Sequence, residues 1–263
     1  MNFYFVFEGK TEPIVYKSWL SVLLPHLTEV DGFDEVRQNN YHYESDRGVP
    51  DCYNVVANAI QEINEHPQYD YLVLIIDADR STVEEKIEEA YAQINEKLLE
   101  KSKKHTYKSL PHNCKLEIIV QKVCIETWFL GNQKFFVRHP QNDLLKQYID
   151  YFDVSAHNPE DLANEFIQGV KGHNIFGYST KARFHEGYLR EIFKEHNLHR
   201  TSRTTPPTKH LSYDKSKPME VHKPHYLEQL QLRVDKKPNQ LLSFQNFLSF
   251  CQKIRNLDIT SKL

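Results

Sequence analysis

Short, continuous apolar runs separated by polar segments characterise the first half of the chain. The runs Phe3–Phe7 (FYFVF) and 71–76 (YLVLII) have the length of strands and contain no charged residue. Runs of this kind are typical of strands that are covered on both faces in a parallel sheet. The stretches NYHYE at 40–44 and CKLEIIVQ at 114–121 have the composition of two further strands.

Between these runs, apolar residues recur with the spacing of amphipathic helices. This spacing predicts helices within 10–27, 50–66 and 81–104, and IETWFL at 125–130 predicts a further short helix. Strands and helices therefore alternate up to about residue 135. That alternation predicts an α/β fold, with a parallel or mixed sheet flanked by helices.

The second half of the chain has mostly helical periodicity. The predicted helices cover 142–151, 159–168, 181–196 and 239–256. A polar, proline-containing stretch before the last helix has no periodicity and predicts a loop or arm. We therefore divide the chain into an α/β domain at 1–138 and a mostly helical C-terminal extension at 139–263 that carries a basic loop at 199–225.

Composition is typical of a folded cytoplasmic protein. The chain has 263 residues, 40% of them hydrophobic, so it can bury a core. The four cysteines are scattered without a CxxC pair, which is typical of reduced thiols and not of a disulfide framework. No apolar run approaches the length of a membrane span, and the first residues lack a signal-peptide pattern. We expect a soluble cytoplasmic protein with no membrane partner.

Charge is distributed unevenly along the chain. The formal net charge is −3, but residues 200–237 hold nine Lys and Arg against four Asp and Glu, which leaves −8 for the rest. This basic segment is either a surface for a polyanion such as nucleic acid or a solvated loop rich in lysine. Tyr213 and Tyr226 lie among its cations. His222 and His225 form an HxxH pair that, without a cysteine partner nearby, is more typical of surface histidines than of zinc ligands.

Carboxylates follow the apolar runs. Glu8 follows the first run, Asp77 and Asp79 follow the second, and Glu126 comes soon after the last predicted strand. Because ligands bind at the carboxyl ends of strands in α/β sheets, we expect these four side chains to converge. Such a cluster requires cations, and oxygen ligands suit Mg²⁺. For each acid alone the alternative is a helix cap, as for Asp79; Gly9 is expected to let the backbone turn tightly beside the site.

Three motifs in this order, FVFEGKTE, LVLIIDADR and CIETWFL, resemble the TOPRIM family. The hallmarks of that family are a glutamate after the first strand and a later DxD motif, and its members include topoisomerases, primases and nucleases. The chain looks closest to small stand-alone TOPRIM-like proteins, the RloB-like and OLD-like nuclease branch. The resemblance covers about residues 1–135. The stretch DADRST lacks the glycine that often follows DxD in topoisomerases, which favours the nuclease branch.

The resemblance implies a role for each matching position. Glu8 matches the first acid of the family, which serves a second metal ion or acts as a general base. Asp77 and Asp79 match the principal Mg²⁺ ligands. Glu126 matches the glutamate of the third motif and is expected to complete the metal shell. Glu12, the second glutamate of EGKTE, is either a further ligand or a helix-capping acid.

The implied reaction is hydrolysis of phosphodiester bonds in DNA or RNA with Mg²⁺ or Mn²⁺, in bacterial defence against phage. Two metal ions would activate water and stabilise the leaving oxygen. A cation near the site would neutralise developing charge. Lys181 is the predicted catalytic cation, with Arg183 and Lys122 as further candidates; for each, the alternative is a surface or salt-bridging role.

Two other functions stay open on the sequence. One is a non-catalytic TOPRIM-like subunit that binds an ABC-type ATPase partner or nucleic acid. The apolar segment LLSFQNFLSF in the helical C-terminal half suggests this alternative. The other is a nucleotide-processing enzyme that uses the same carboxylates. The chain has no P-loop, so ATP dependence would require a partner, and no GxSxG motif, so a serine hydrolase is not supported. The sequence leaves homo-oligomerisation open.

Overall fold

The computed structural model describes residues 1–45, 48, 50–103, 108–162, 180–201, 213–214 and 220–260. The chain forms two compact units. The first comprises Met1–Val120 with Asn246–Leu263, and the second comprises Gln121–Gln245. The functional boundary at residue 138 stays a prediction, but the third motif of the sequence belongs by its contacts to the second unit.

A five-stranded parallel sheet organises the first unit. Its strands are β1 (Phe3–Phe7), β2 (Thr28–Glu29), β3 (Asn40–Ser45), β4 (Tyr71–Asp77) and β5 (Lys115–Gln121). They lie in the order β2-β3-β1-β4-β5. The predicted α/β fold is confirmed, and the sheet is parallel and not mixed. The two-residue strand β2, which is too short to leave a hydrophobic pattern, was not predicted.

Three helices follow strands of the first unit. They are α1 (Thr11–Leu23), α2 (Asp51–Glu65) and α3 (Val83–Ser102). A capping box begins α3: Thr82 Oγ1 accepts a hydrogen bond from the Glu85 N–H at 3.1 Å, and Glu85 Oε2 accepts one from the Thr82 N–H at 2.8 Å. The helix is therefore capped by Thr82 and not by Asp79.

Alternate residues of β1 pack on opposite faces of the sheet. Tyr4 and Val6 belong to a core cluster that includes residues of α2 and α3. On the other face, the ring of Phe7 lies 5.4 Å from that of Tyr16 in α1. All five residues of β1 are at most 1% exposed. Burial on both faces explains why this strand is continuously apolar.

The second unit is helical. Its helices are α4 (Ile125–Phe129), α5 (Asp143–Tyr151), α6 (Lys181–Thr201), α7 (Pro224–Lys236) and the start of α8 (Leu242–Thr260). They confirm the predicted helices at 142–151, 181–196 and 239–256. The predicted helix at 159–168 begins as a 3₁₀ turn, Pro159–Asp161, and its residues from 163 onward lie outside the described residues. None of the described helices is both long and apolar enough to cross a membrane.

The sequence did not predict α7, because charged residues interrupt its apolar face. Its buried residues are Tyr226, Leu227, Leu230, Arg233 and Val234. Their spacing is that of one helical face, but an arginine stands within it. Pro224 is at the start of the helix, where proline is well tolerated. The predicted basic loop at 199–225 therefore ends where α7 begins.

Candidate functional site

Glu8 and Asp77 are brought together at the carboxyl ends of two adjacent strands. In the register of β1 with β4, Phe7 is paired with Ile75, so Glu8 directly follows the paired residues. The Glu8 N–H donates to the Ile75 carbonyl at 3.1 Å. In return, the Asp77 N–H donates to Oε2 of Glu8 at 2.8 Å. The main chain of one predicted ligand thus orients the side chain of the other.

Asp79 lies in an exposed turn two residues beyond β4. Its φ of 54° is in the left-handed region, which aspartate tolerates better than most residues. The intervening Ala78 is 1% exposed and belongs to the core cluster. A hydrogen bond of 3.0 Å from the Ser81 N–H to the Ala78 carbonyl closes the turn. The DxD spacing therefore has one residue anchored in the core and an acid on each side of it.

Glu12 is 7% exposed, in the first turn of α1. Its carboxylate lies against Gly9: a Cβ atom at Gly9 would be 2.8 Å from Glu12 Oε2. Gly9 is not among the residues with positive φ. The chain bends at Gly9, as expected, but without a positive φ that would itself require glycine. Glycine leaves room for this carboxylate, and any side chain here would require Glu12 to shift.

A polar cluster that the sequence did not suggest lies in the same unit. The hydroxyl of Tyr53 in α2 donates to Oε1 of Glu89 in α3 at 3.5 Å, and Nζ of Lys86 is 3.2 Å from the same oxygen. Burial first, then the charge of Glu89, and after it those of Cys52 and Glu8, raise the pKa of Tyr53. Lys86 is 4% exposed. The sequence feature that could have indicated this cluster is Lys86, which lies on the apolar stripe of α3 three residues after Val83.

Glu126 belongs to the second unit and is fully buried in α4. Its Oε1 accepts a hydrogen bond of 2.5 Å from the hydroxyl of Tyr213. Burial first, and then the charge of Glu126, raise the pKa of Tyr213 well above its usual value. The following residue, Thr127, has its hydroxyl 2.7 Å from Nδ1 of His185 in α6. Both partners are distant in the sequence, and neither was predicted.

His185 is a buried histidine in the second unit. Burial first, and then the charge of Lys181 one helical turn earlier, lower its pKa to about 3. Its Nε2 has no hydrogen-bond partner among the described residues. His185 is therefore neutral near pH 7, and Thr127 is its hydrogen-bond partner in that part of the chain.

The three predicted cations also belong to the second unit. Lys181 is half-buried at the start of α6, and Arg183 is exposed. Lys122 is half-buried, and its charge favours the ionised form of Glu160, whose pKa burial nevertheless raises. Their catalytic roles stay predictions.

Three residues of the basic segment are buried and do not belong to the surface that the sequence indicated, whereas Lys223, Lys236 and Lys237 are partly or fully exposed. Tyr213 is 4% exposed, Tyr226 is 0% exposed and Arg233 is 3% exposed. Arg233 donates to Gln240 and to two main-chain carbonyls, so its charge serves the interior of the second unit. For these three residues the nucleic-acid interpretation is wrong, because their aromatic rings and guanidinium group are buried in a core. In the HxxH pair of the same segment, Nε2 of His225 lies 2.7 Å from Oε1 of Glu220.

The oxygen donors of the first unit suit Mg²⁺, which usually binds one or two carboxylates and retains water. Glu8 and Asp77 provide two carboxylates at one edge, with the first oriented by a hydrogen bond. Among the described residues, no group of three or more His, Cys, Asp or Glu side chains is placed to hold a metal ion. All four predicted ligands lie among these residues, so this result does not support their convergence, which stays a prediction.

Comparison of the chain with models of protein families, with curated proteins and with solved structures finds no match. The TOPRIM resemblance therefore rests on the three sequence motifs.

Proposed function

We propose that this protein is a Mg²⁺- or Mn²⁺-dependent enzyme that hydrolyses phosphodiester bonds of nucleic acid. The observation that carries the proposal is the meeting of Glu8 and Asp77 at the carboxyl edge of adjacent parallel strands. This edge is where α/β sheets bind ligands. The motifs that supply these acids are those that resemble the TOPRIM nucleases.

One side-chain oxygen and both main chains of this edge are held by hydrogen bonding and burial. The Asp77 N–H fixes Oε2 of Glu8, and the buried strands β1 and β4 fix both main chains. Activation of water and stabilisation of the leaving oxygen are the chemistry that a bound divalent ion supplies. In the proposal Glu8 and Asp77 bind the ion and Asp79 joins them from its exposed turn, and the hydrogen-bonded carboxylate of Glu8 needs little reorganisation during the reaction.

Lys86 of the first unit is a candidate for the cation that would neutralise the developing negative charge. Lys86 is joined through Glu89 to Tyr53, whose hydroxyl senses the charge of Glu8. We add Lys86 to the predicted cation Lys181 as a candidate for this role. A role in phage defence and an ABC-type ATPase partner follow from the resemblance, a cytoplasmic location follows from the scattered cysteines, and all three are part of the proposal.

The test is cleavage of DNA and RNA by the purified full chain, with and without Mg²⁺ or Mn²⁺. Asp77→Asn and Glu8→Gln are expected to lower the rate by about 100-fold or more, because each removes a metal-binding charge. Glu44→Gln is the matched control: Glu44 is an exposed acid near the end of the neighbouring strand β3, paired with Val6 of β1.

Cleavage without a metal ion, or an unchanged rate in Asp77→Asn, would contradict the proposal. Hydrolysis of mononucleotides without polymer cleavage would instead indicate a nucleotide-processing enzyme. No turnover, together with stable binding of an ATPase or of nucleic acid, would indicate the non-catalytic subunit.

A further inference from the structure

Lys86 is a buried lysine on the apolar stripe of α3. It is 4% exposed, although lysine is almost never fully buried unless it is paired. Its Nζ lies 3.2 and 3.3 Å from the two oxygens of Glu89, one helical turn later. An ammonium group has three donors, and among the described residues both acceptors of Lys86 belong to this one carboxylate. At least one donor is therefore available to an oxygen of a ligand.

Glu89 is held less firmly than the lysine that it pairs with. The side chain of Glu89 is 41% exposed, and that of Lys86 is 5% exposed. The second partner of Glu89 is the hydroxyl of Tyr53 in α2, which donates to Oε1 at 3.5 Å, a long distance for such a bond. An ion pair that water reaches from one side contributes little to stability. Glu89 can therefore leave Lys86 at a small cost in free energy.

Tyr53 and Lys86 lie at the same edge of the sheet as Glu8. They stand in the first turns of α2 and α3, which follow the strands β3 and β4. Because both strands are parallel to β1, these first turns lie at the carboxyl edge, where Glu8 follows β1. The electrostatics agree with this placement: after burial and the charges of Glu89 and Cys52, the charge of Glu8 also raises the pKa of Tyr53.

The order of the strands makes this edge a place for a ligand. β2 and β3 lie on one side of β1, and β4 and β5 lie on the other. Open α/β sheets bind ligands outside the carboxyl ends of the strands, at the point where the strand order reverses. Helices α2 and α3 both contribute to the core cluster on one face of this sheet. Their first turns therefore flank a ligand that binds where β1 and β4 end.

We propose that Lys86 binds a phosphate group of a nucleic-acid strand at this edge, and that Glu89 occupies the place of that phosphate in the free protein. This inference rests on the proposed function, whose substrate it concerns. Lysine is a compact charge on a flexible stem, so its ammonium group exchanges one anion for another without movement of the main chain. Glu89 and the phosphate thus compete for one cation, and binding of the strand releases Glu89 to the solvent.

The alternative is an ion pair that only fastens α3 to α2. The two roles differ in the sign of the effect of Glu89. If the pair is only structural, removal of either charge does not strengthen the binding of nucleic acid. If Glu89 competes with a phosphate, removal of Lys86 weakens binding and removal of Glu89 strengthens it.

The experiment measures binding of a short fluorescein-labelled single strand of DNA, and of RNA with the same sequence, to the full chain. Fluorescence anisotropy gives the affinity at several salt concentrations, with EDTA present so that neither strand is cleaved. The variants are Lys86→Met and Glu89→Gln. Lys97→Met and Glu100→Gln are the matched controls, because Lys97 and Glu100 form the same kind of pair farther along α3, at 2.9 Å. Thermal unfolding shows that each variant is folded.

Lys86→Met is expected to weaken the binding of both strands about tenfold, the effect of one hydrogen bond between charged groups. It is also expected to reduce the slope of log affinity against log salt concentration by about 0.7, because one phosphate is no longer neutralised. Glu89→Gln is expected to strengthen binding about threefold, because the competing charge is absent. Lys97→Met and Glu100→Gln are expected to leave affinity and slope unchanged.

Three results would overturn the role of Lys86. They are a similar loss of affinity in Lys86→Met and Lys97→Met, weaker binding in both Lys86→Met and Glu89→Gln, and no binding of either strand by the unaltered protein. A loss in Lys86→Met without a gain in Glu89→Gln would overturn the competition by Glu89.

This inference and the proposed function fail in different ways. If the unaltered protein cleaves with Mg²⁺ but Lys86→Met binds both strands as the unaltered protein does, the phosphate contact is wrong and the nuclease function stands. If the protein does not cleave, yet Lys86→Met and Glu89→Gln change affinity in opposite directions, the phosphate contact stands and the nuclease function is wrong. If the protein neither binds nor cleaves, both are wrong.

Discussion

The main-chain N–H of Asp77 donates a 2.8 Å hydrogen bond to the side chain of Glu8, across 69 positions of the sequence. The bond exists because β1 and β4 are adjacent and parallel, so that both strands end at the same edge. The acid at the end of each strand is thus part of the strand pairing as well as a candidate ligand.

Substitution of Glu8 separates these two roles. Glu8→Ala leaves the Asp77 N–H without its acceptor and is expected to lower the free energy of unfolding by about 1–3 kcal/mol. Glu8→Gln retains an acceptor oxygen and is expected to cost less than about 1 kcal/mol. Both variants are expected to lose the proposed metal-dependent cleavage, because neither has the charge. Urea unfolding measures the difference; equal destabilisation by the two variants would show that the hydrogen bond contributes nothing.

The contact between Gly9 and Glu12 predicts an effect that changes sign with the background. A Cβ atom at Gly9 would lie 2.8 Å from Glu12 Oε2, so Gly9→Ala must displace a buried carboxylate. We expect Gly9→Ala to destabilise the protein by about 1 kcal/mol. In a Glu12→Ala background the obstacle is absent, and the same substitution is expected to be neutral or slightly stabilising because it restricts the unfolded chain.

A double-mutant cycle measured by urea unfolding tests this coupling. A coupling energy of about 1 kcal/mol is expected. If Gly9→Ala has the same effect in both backgrounds, the glycine is required for a reason other than the carboxylate.

His185 predicts a loss of stability in acid. Its pKa is lowered to about 3 in the folded protein, while the ordinary value of about 6.5 applies to the unfolded chain. Between these two pH values His185 is protonated in the unfolded state but neutral in the folded state. The free energy of unfolding therefore falls as the pH falls from about 6.5 towards 3. At pH 5 the expected loss is about 2 kcal/mol relative to pH 7.

The matched variant is His185→Asn, which retains a polar group for Thr127 but does not titrate in this range. The difference in unfolding free energy between the unaltered protein and this variant is expected to change by about 2 kcal/mol from pH 7 to pH 5. A difference that is independent of pH would show that His185 is not buried as a neutral ring.

Arg233 is expected to contribute to stability and not to nucleic-acid binding. Its guanidinium donates to Gln240 Oε1 at 2.9 Å and to the carbonyls of Gly131 and His157 at 3.1 and 2.6 Å. Lysine cannot reproduce this fork, so Arg233→Lys is expected to lower the free energy of unfolding by about 3 kcal/mol. At a temperature where the variant is folded, its affinity for DNA or RNA is expected to be unchanged.

Arg190→Lys is the control for that substitution. Arg190 is exposed and paired with Glu186 on the surface of α6, and such pairs contribute little, so the expected change is within about 0.5 kcal/mol. Similar unfolding curves for the two variants would show that the interior hydrogen bonds of Arg233 are unimportant.

Much of the first unit could be predicted from local pattern. The runs at 3–7 and 71–76 are continuously apolar because both faces of these strands are buried, and the helices between strands keep their apolar stripes. The capping box that begins α3 at Thr82 is also a local feature, since capping depends on residues that are adjacent in the chain. In the second unit, by contrast, α7 has a buried arginine on its apolar face, and a pattern that treats arginine as polar misses it.

By itself, the sequence determined the alternation of strands and helices and the acids that end the strands, because periodicity and burial act on neighbouring residues. Only the tertiary structure decided that Asp77 holds Glu8, that Tyr213 is buried against Glu126 and that Arg233 serves the interior. Those contacts join residues that are tens of positions apart in the chain. Their existence depends on which strands are neighbours and which surfaces are covered, and the packing of the whole chain sets both.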